Sequence, residues 1–150
     1  MSTARFRFGL ERVRELRAHD EDRAKEAFAA SLAQRMRGAA LLAAAARQVD
    51  AAHAVRRGGA PSATGADLVS MQAYLDRVEQ SRTDAERELR TSEAALAERR
   101  GQLTEASRRR QALDRLKERR AAEHAAAAAR QEATLLDEVA LAAHVRKGAA

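Results

Sequence analysis

The sequence predicts an all-α fold, a long antiparallel coiled-coil hairpin of two helices. Three observations predict it. A stretch from about Asp67 to about Val145 has no proline and one glycine, Gly101, and is rich in Ala, Arg, Glu, Leu and Gln, residues that lose little rotamer freedom in a helix. Within it Leu68, Leu75, Leu89, Leu96 and Leu103 lie on one heptad line, and Met71, Val78, Ala85, Ala106 and Leu113 on a companion line, the pattern of a coiled-coil strand. The one real break in the chain, from Gly58 to Gly65, separates this stretch from an earlier helical one.

The first helix is expected from about Thr3 to Arg57, with Ser2 or Thr3 able to cap it. Its apolar stripe opens with Phe6, Leu10 and Val13, continues through Ala24 and Ala27 or Phe28, and runs on through Leu32, Met36, Ala39, Leu42, Ala46 and Val49. The steps are threes and fours, as an amphipathic helix requires. Between Arg14 and Glu26 the stripe is thin and charge is dense, which predicts a poorly packed, mobile portion.

In the connection, residues 58–66, two glycines end the first helix and Pro61 cannot continue it. Ser62 or Thr64 can cap the second helix. So short a link folds the second helix back on the first. A pivot at Ser62 sets residue i opposite residue 124 − i, placing Phe6, Leu10 and Val13 against Leu113, Leu116 and the basic run near them. The second helix, about 67–145, would measure roughly 120 Å. About the last 25 residues, roughly 40 Å of helix, have nothing opposite them. An isolated helix is marginal in water, so this tail is expected to order fully only on a partner.

Composition agrees with a thin helix–helix seam. Charged residues are 33% of the chain and aromatics only 3%, while much of the 45% hydrophobic fraction is alanine. A single domain over residues 1–150 is expected. The absence of cysteine excludes disulfides and thiol chemistry. The longest low-charge run, Gly38 to Ala46, is too short to span a bilayer, and the start of the chain has no apolar signal core, so a cytoplasmic protein is expected. Net charge is +6, most of it before the connection.

Candidate chemistry is sparse. His19, His53, His124 and His144 lie far apart in the hairpin and form no ligand set, and the acidic run Asp20-Glu21-Asp22 has no pocket to desolvate it. Gly58-Gly59 lacks the lysine of a phosphate-binding loop. The reading is no enzyme and no cofactor. The run Arg108-Arg109-Arg110 with Arg115, Lys117, Arg119 and Arg120 could track phosphates. However, no aromatics interleave it, and contact with an acidic protein surface fits better than nucleic acid. The plain alternative is a solvated face paired at i,i+4. Tyr74 is the only tyrosine and flanks the seam near the connection.

Four segments together resemble the FliJ family, the coiled-coil protein of the bacterial flagellar type III export apparatus. They are Phe6-Arg7-Phe8-Gly9-Leu10-Glu11-Arg12-Val13, the start of the second helix from Leu68 to Glu79, the segment from Arg109 to Arg120, and Gln131-Glu132 with Leu136-Asp137-Glu138-Val139-Ala140. The resemblance implies a non-enzymatic stalk, similar to the central subunit of rotary ATPases. Its partners would be the flagellar export ATPase, the cytoplasmic domain of the export gate, and export chaperones. It would be peripheral at the inner membrane through the apparatus, and the one glycine–proline break between two seam-bearing helices leads to the expectation of a monomer in isolation. ATPase contact is implied at Phe6, Leu10, Val13, Leu113, Arg115, Leu116, Lys117, Arg119, Arg120, Asp137 and Glu138. Gate contact is implied on the stripe Tyr74, Val78, Ser81 and Ala85. The alternatives are the stalk of an injectisome or rotary ATPase, or a basic coiled-coil module that binds nucleic acid or a membrane surface.

Overall fold

The computed structural model describes residues 5–59 and 62–148. Two helices pack against each other, α1 (Glu11–Arg57) and α2 (Gly65–Gly148), with no strand among the described residues. The architecture is the expected two-helix hairpin. Ser2, Thr3, Ala60 and Pro61 lie outside the described residues.

α1 starts later than expected. Arg5 to Phe8 are not helical, Gly9 and Leu10 make a turn, and the Glu11 and Arg14 amides donate to the Phe8 and Leu10 carbonyls at 3.1 and 2.9 Å. In this non-helical stretch Phe8 is 8% exposed and Phe6 half-buried. Glu11 then sits in the first helical turn, where a negative charge meets the positive end of the helix dipole. Arg56 and Arg57 occupy the last turn, the matching choice for the negative end. The helix ends where the glycines predict, but without a left-handed cap. No described residue has a positive φ, and the Gly58 amide donates to the Ala54 carbonyl at 3.0 Å.

Thr64 is the cap of α2. Its amide and hydroxyl donate to Asp67 Oδ2 at 2.8 and 2.6 Å, and the Asp67 amide returns a bond to Thr64 Oγ1 at 3.3 Å. This reciprocal box satisfies donors that the first turn otherwise leaves open. The bond from Thr64 holds the Asp67 carboxyl below its ordinary value.

The chain divides into two compact units, one from Asp22 to Glu105 and the other formed by residues 1–21 with residues 106–150. In the first, Val49, Ala52, Leu75 and Val78 make the core with Met71 against it. Leu75, 1% exposed, is the one large side chain fully buried among the described residues. Further along the helices Gly38, Ala45 and Ser92 are buried, small residues that let helix backbones approach. A methyl group added at Gly38 would stand 3.6 Å from Leu89 and from Ser92, ordinary contact. Gly38→Ala is therefore expected to be neutral or to raise the melting temperature slightly, since alanine also costs the helix less than glycine. A clear fall would mean tighter backbone packing than this.

The buried and half-buried positions of α1 obey heptads more strictly than the apolar pattern suggested. Arg14, Glu21, Phe28, Arg35, Leu42 and Val49 form one line, and Arg17, Ala24, Ser31, Gly38, Ala45 and Ala52 the other. Leu32 and Met36, expected on the stripe, fall off both lines and are exposed. On α2 the first expected seam residue, Leu68, is 63% exposed.

The same region explains a corrected register. Arg14 faces Asp114, Arg35 faces Glu93 and Glu11 faces Lys117. Each partner is four residues further along α2 than a pivot at Ser62 predicts. Leu68, Val69 and Ser70 are all exposed in the first turns of α2, so opposition between the helices begins only beyond them. Toward the other end, every described residue from Ala129 to Arg146 is exposed. The side-chain bonds of Arg130, Thr134 and Arg146 run only to carbonyls four residues back in the same helix.

Candidate functional site

In the unit that holds the start of the chain, ion pairs run between α1 and α2. Arg14 bonds Glu11 at 2.5 Å and reaches Asp114 at 3.4 Å, Lys117 bonds Glu11 at 2.8 Å, and Arg110 bonds Asp114 at 2.6 Å. These side chains are about a third exposed, where a pair is worth about 0–1 kcal/mol. The expected seam of Phe6, Leu10 and Val13 against Leu113 and Leu116 is therefore corrected. Leu10 and Val13 are exposed, Leu113 and Leu116 are half-buried, and the Phe6 ring lies 5.7 Å from that of His124 at 57°. The non-helical start and the four-residue register offset account for the difference.

Glu11 is held below its ordinary carboxyl value, first by the bond from Arg14 and then by that from Lys117. A lowered value means that the charged form contributes stability above the unfolded value of 4.5, and that this is lost as pH falls below it. Glu11→Gln is thus expected to flatten the acid limb of thermal stability below about 4.5. An acid limb identical to wild type would show that these pairs contribute nothing.

The remaining implied ATPase residues lie on the surface. Arg115, Arg119 and Arg120 are exposed and make no ion pair among the described residues, and Asp137 and Glu138 are exposed on the bare part of α2. Lys117 is half-buried through its pair with Glu11. In the other unit, Tyr74 and Ser81 are exposed while Ala85 is half-buried. Val78 faces the core at 8% exposure, so the Tyr74 stripe turns inward there and Val78 has no surface to offer a partner. Beside this stripe an open groove of about 340 Å³ is lined by Val55, Arg56, Leu68 and Met71.

Sequence reasoning missed a buried charged position. Glu21 is 6% exposed, so it is desolvated by the helix interface itself rather than by a pocket. It accepts a bond from Ser107 Oγ at 2.9 Å and is paired with Arg110 Nε. The signal was present: Arg110 is seven residues after Leu103, on the leucine line, and Lys117 is seven beyond that.

Fold and site together define a two-helix coiled coil with ion pairs between its helices and an exposed helical extension. Among the described residues no group of three metal-ligating side chains comes together, and no helix is long and apolar enough to cross a membrane. The family model described as Flagellar FliJ protein matches residues 6–149, and the chain belongs to that family. It is a component of the flagellar type III protein export apparatus, in a family that is structural rather than catalytic. No curated protein and no solved structure matches it.

Proposed function

We infer that this chain is a non-enzymatic stalk linking the export ATPase ring to the cytoplasmic domain of the export gate, and that it assists the handling of export chaperones. The observation that carries the reading is the pairing of unneutralised Arg115, Arg119 and Arg120 with the exposed helix from Ala129 to Arg146. Leu135, Leu136, Val139, Leu141 and Val145 are all exposed on that helix, and exposed apolar side chains in such number gain by burial against a partner. The arginines supply attraction to carboxylates over a Debye length of about 8 Å at physiological salt. Contact with the apparatus would bring the chain to the inner membrane as a peripheral component.

Capture of purified export ATPase by the full chain, and by a chain lacking the last 25 residues, tests this. Loss of capture on truncation, with α1 and its partner segment still helical, is the expected result. Equal capture by the truncated chain would contradict it.

Gate contact is assigned to the exposed members of the second stripe, Tyr74 and Ser81, with the groove at Leu68 and Met71 beside them. The double variant Tyr74→Glu, Ser81→Glu is expected to weaken binding to the gate domain and to leave helicity intact, because both residues are exposed. Wild-type gate affinity in that variant would place the contact elsewhere.

A further inference from the structure

The side chain that neither the hairpin nor the docking surfaces account for is Glu21. A carboxylate on a helix seam has to be paired to be tolerated, and apolar residues in place of such a pair are often as stabilising or more so. We propose that Glu21, Ser107 and Arg110 form a register lock, a polar layer that lets α1 and α2 pack in one alignment and rejects the others.

Four observations carry this. Glu21 lies on a heptad line of α1 and Arg110 on the leucine line of α2, so both occupy positions where an apolar residue would ordinarily sit. The carboxylate is satisfied on both oxygens across the interface, by the Ser107 hydroxyl and by the Arg110 guanidinium. Arg110 is in turn held by Asp114, and Asp114 by Arg14, so the layer is connected rather than isolated. Finally, apolar packing around it specifies little. Among the described residues of this unit Phe8 is the only buried hydrophobic one, Ala18 and Ala106 are half-buried, and Leu16 is exposed. Alanine is too short to act as a knob that selects its hole.

The neighbouring registers show what the lock excludes. A one-heptad slip in one direction places Glu21 against Asp114 and Lys117 instead of Ser107 and Arg110, setting carboxylate against carboxylate. A slip in the other direction places it against Arg100 and Leu103. Glu11 would then meet Arg110, but Glu21 would lose its hydroxyl donor and gain a leucine neighbour. The connection permits such slips: the seven residues from Gly58 to Thr64, fully extended, reach about 23 Å, against about 10 Å between packed helix axes. A buried polar residue that fixes alignment at a cost in stability is a known device of coiled coils. The lock does not depend on which partners the chain has.

The chain contains no cysteine, so spin labels can be placed at two chosen sites. His19→Cys on α1 and Arg108→Cys on α2, both exposed, report the alignment of the full chain by pulsed dipolar spectroscopy. The labelled chain with native Glu21 and Ser107 is expected to give one distance peak. With E21A and S107A added, Arg110 keeps Asp114, the chain stays helical, and a second peak appears at longer distance, the slip of about 10 Å for seven residues adding at right angles to the separation of these nearly opposed sites. E21Q, whose amide oxygen still accepts from Ser107, is expected to keep the single peak. A helical alanine double variant with one unshifted peak overturns the proposal. So does outright loss of helix in that variant, which would make the layer a stabiliser rather than a lock. A split peak in E21Q as well would also overturn it, because any change at the position would then disturb the pair.

Discussion

Leu75→Ala is expected to lower the stability of the hairpin by about 2–5 kcal/mol, the largest effect of any single truncation in this chain. Leu75 is 1% exposed and sits among Val49, Ala52 and Val78, with Met71 against that cluster. These are four of the six buried apolar side chains among the described residues, Phe8 and Ala45 being the others, so there is no deeper core to collapse into the cavity left by the leucine. Leu89, Leu96, Leu103 and Leu113 are only half-buried, and their truncation should cost less, because a partly exposed side chain has less transfer energy to lose. Chemical denaturation followed by circular dichroism compares them. A loss at Leu75 no greater than at Leu113 would show that stability is spread evenly along the seam.

Reversing Arg115, Arg119 and Arg120 to glutamate together is expected to abolish binding to the export ATPase while leaving the helices folded. All three are exposed and make no ion pair among the described residues, so reversal breaks no internal bond. Each surface charge alone is worth about 0–1 kcal/mol, and single reversals should be nearly silent. The combined effect should deepen at low ionic strength, where screening is weaker. Leu113→Ala should behave differently, loosening the hairpin first and losing binding in consequence. ATPase binding untouched by the triple reversal at every salt concentration would make the basic run a solvated face and nothing more.

The break from Gly58 to Gly65 and the heptad line through Leu75, Leu89, Leu96 and Leu103 made the hairpin legible from composition and spacing. What was not legible was which side chains occupy the seam where it is polar. Apolarity pointed to Leu32 and Met36, which are exposed, whereas Arg14, Glu21 and Arg35 hold the heptad positions. On α2 the lines pass through Ser92, Arg110 and Lys117. Long charged side chains lay their stems along a seam and pair at their heads, so position identifies them where hydrophobicity does not. The start of the chain was misread for a different reason. Phe6 fits a helical stripe with Leu10 and Val13 by spacing, but Gly9 and Leu10 make a turn and the helix begins only at Glu11. Of the implied docking residues, the exposed arginines and Tyr74 lie where a partner could reach them, while Val78 belongs to the core.

The central claim is that one copy of the chain engages the ATPase through the segment around Arg115 to Glu138 and the gate through the surface around Tyr74, and that it does both at once. The direct measurement is sedimentation of the full chain mixed with purified export ATPase and the cytoplasmic domain of the gate. The account predicts a ternary complex that the triple arginine reversal splits from the ATPase and the Tyr74→Glu, Ser81→Glu variant splits from the gate. Two binary complexes that exclude each other, with no ternary species at any ratio, would contradict it.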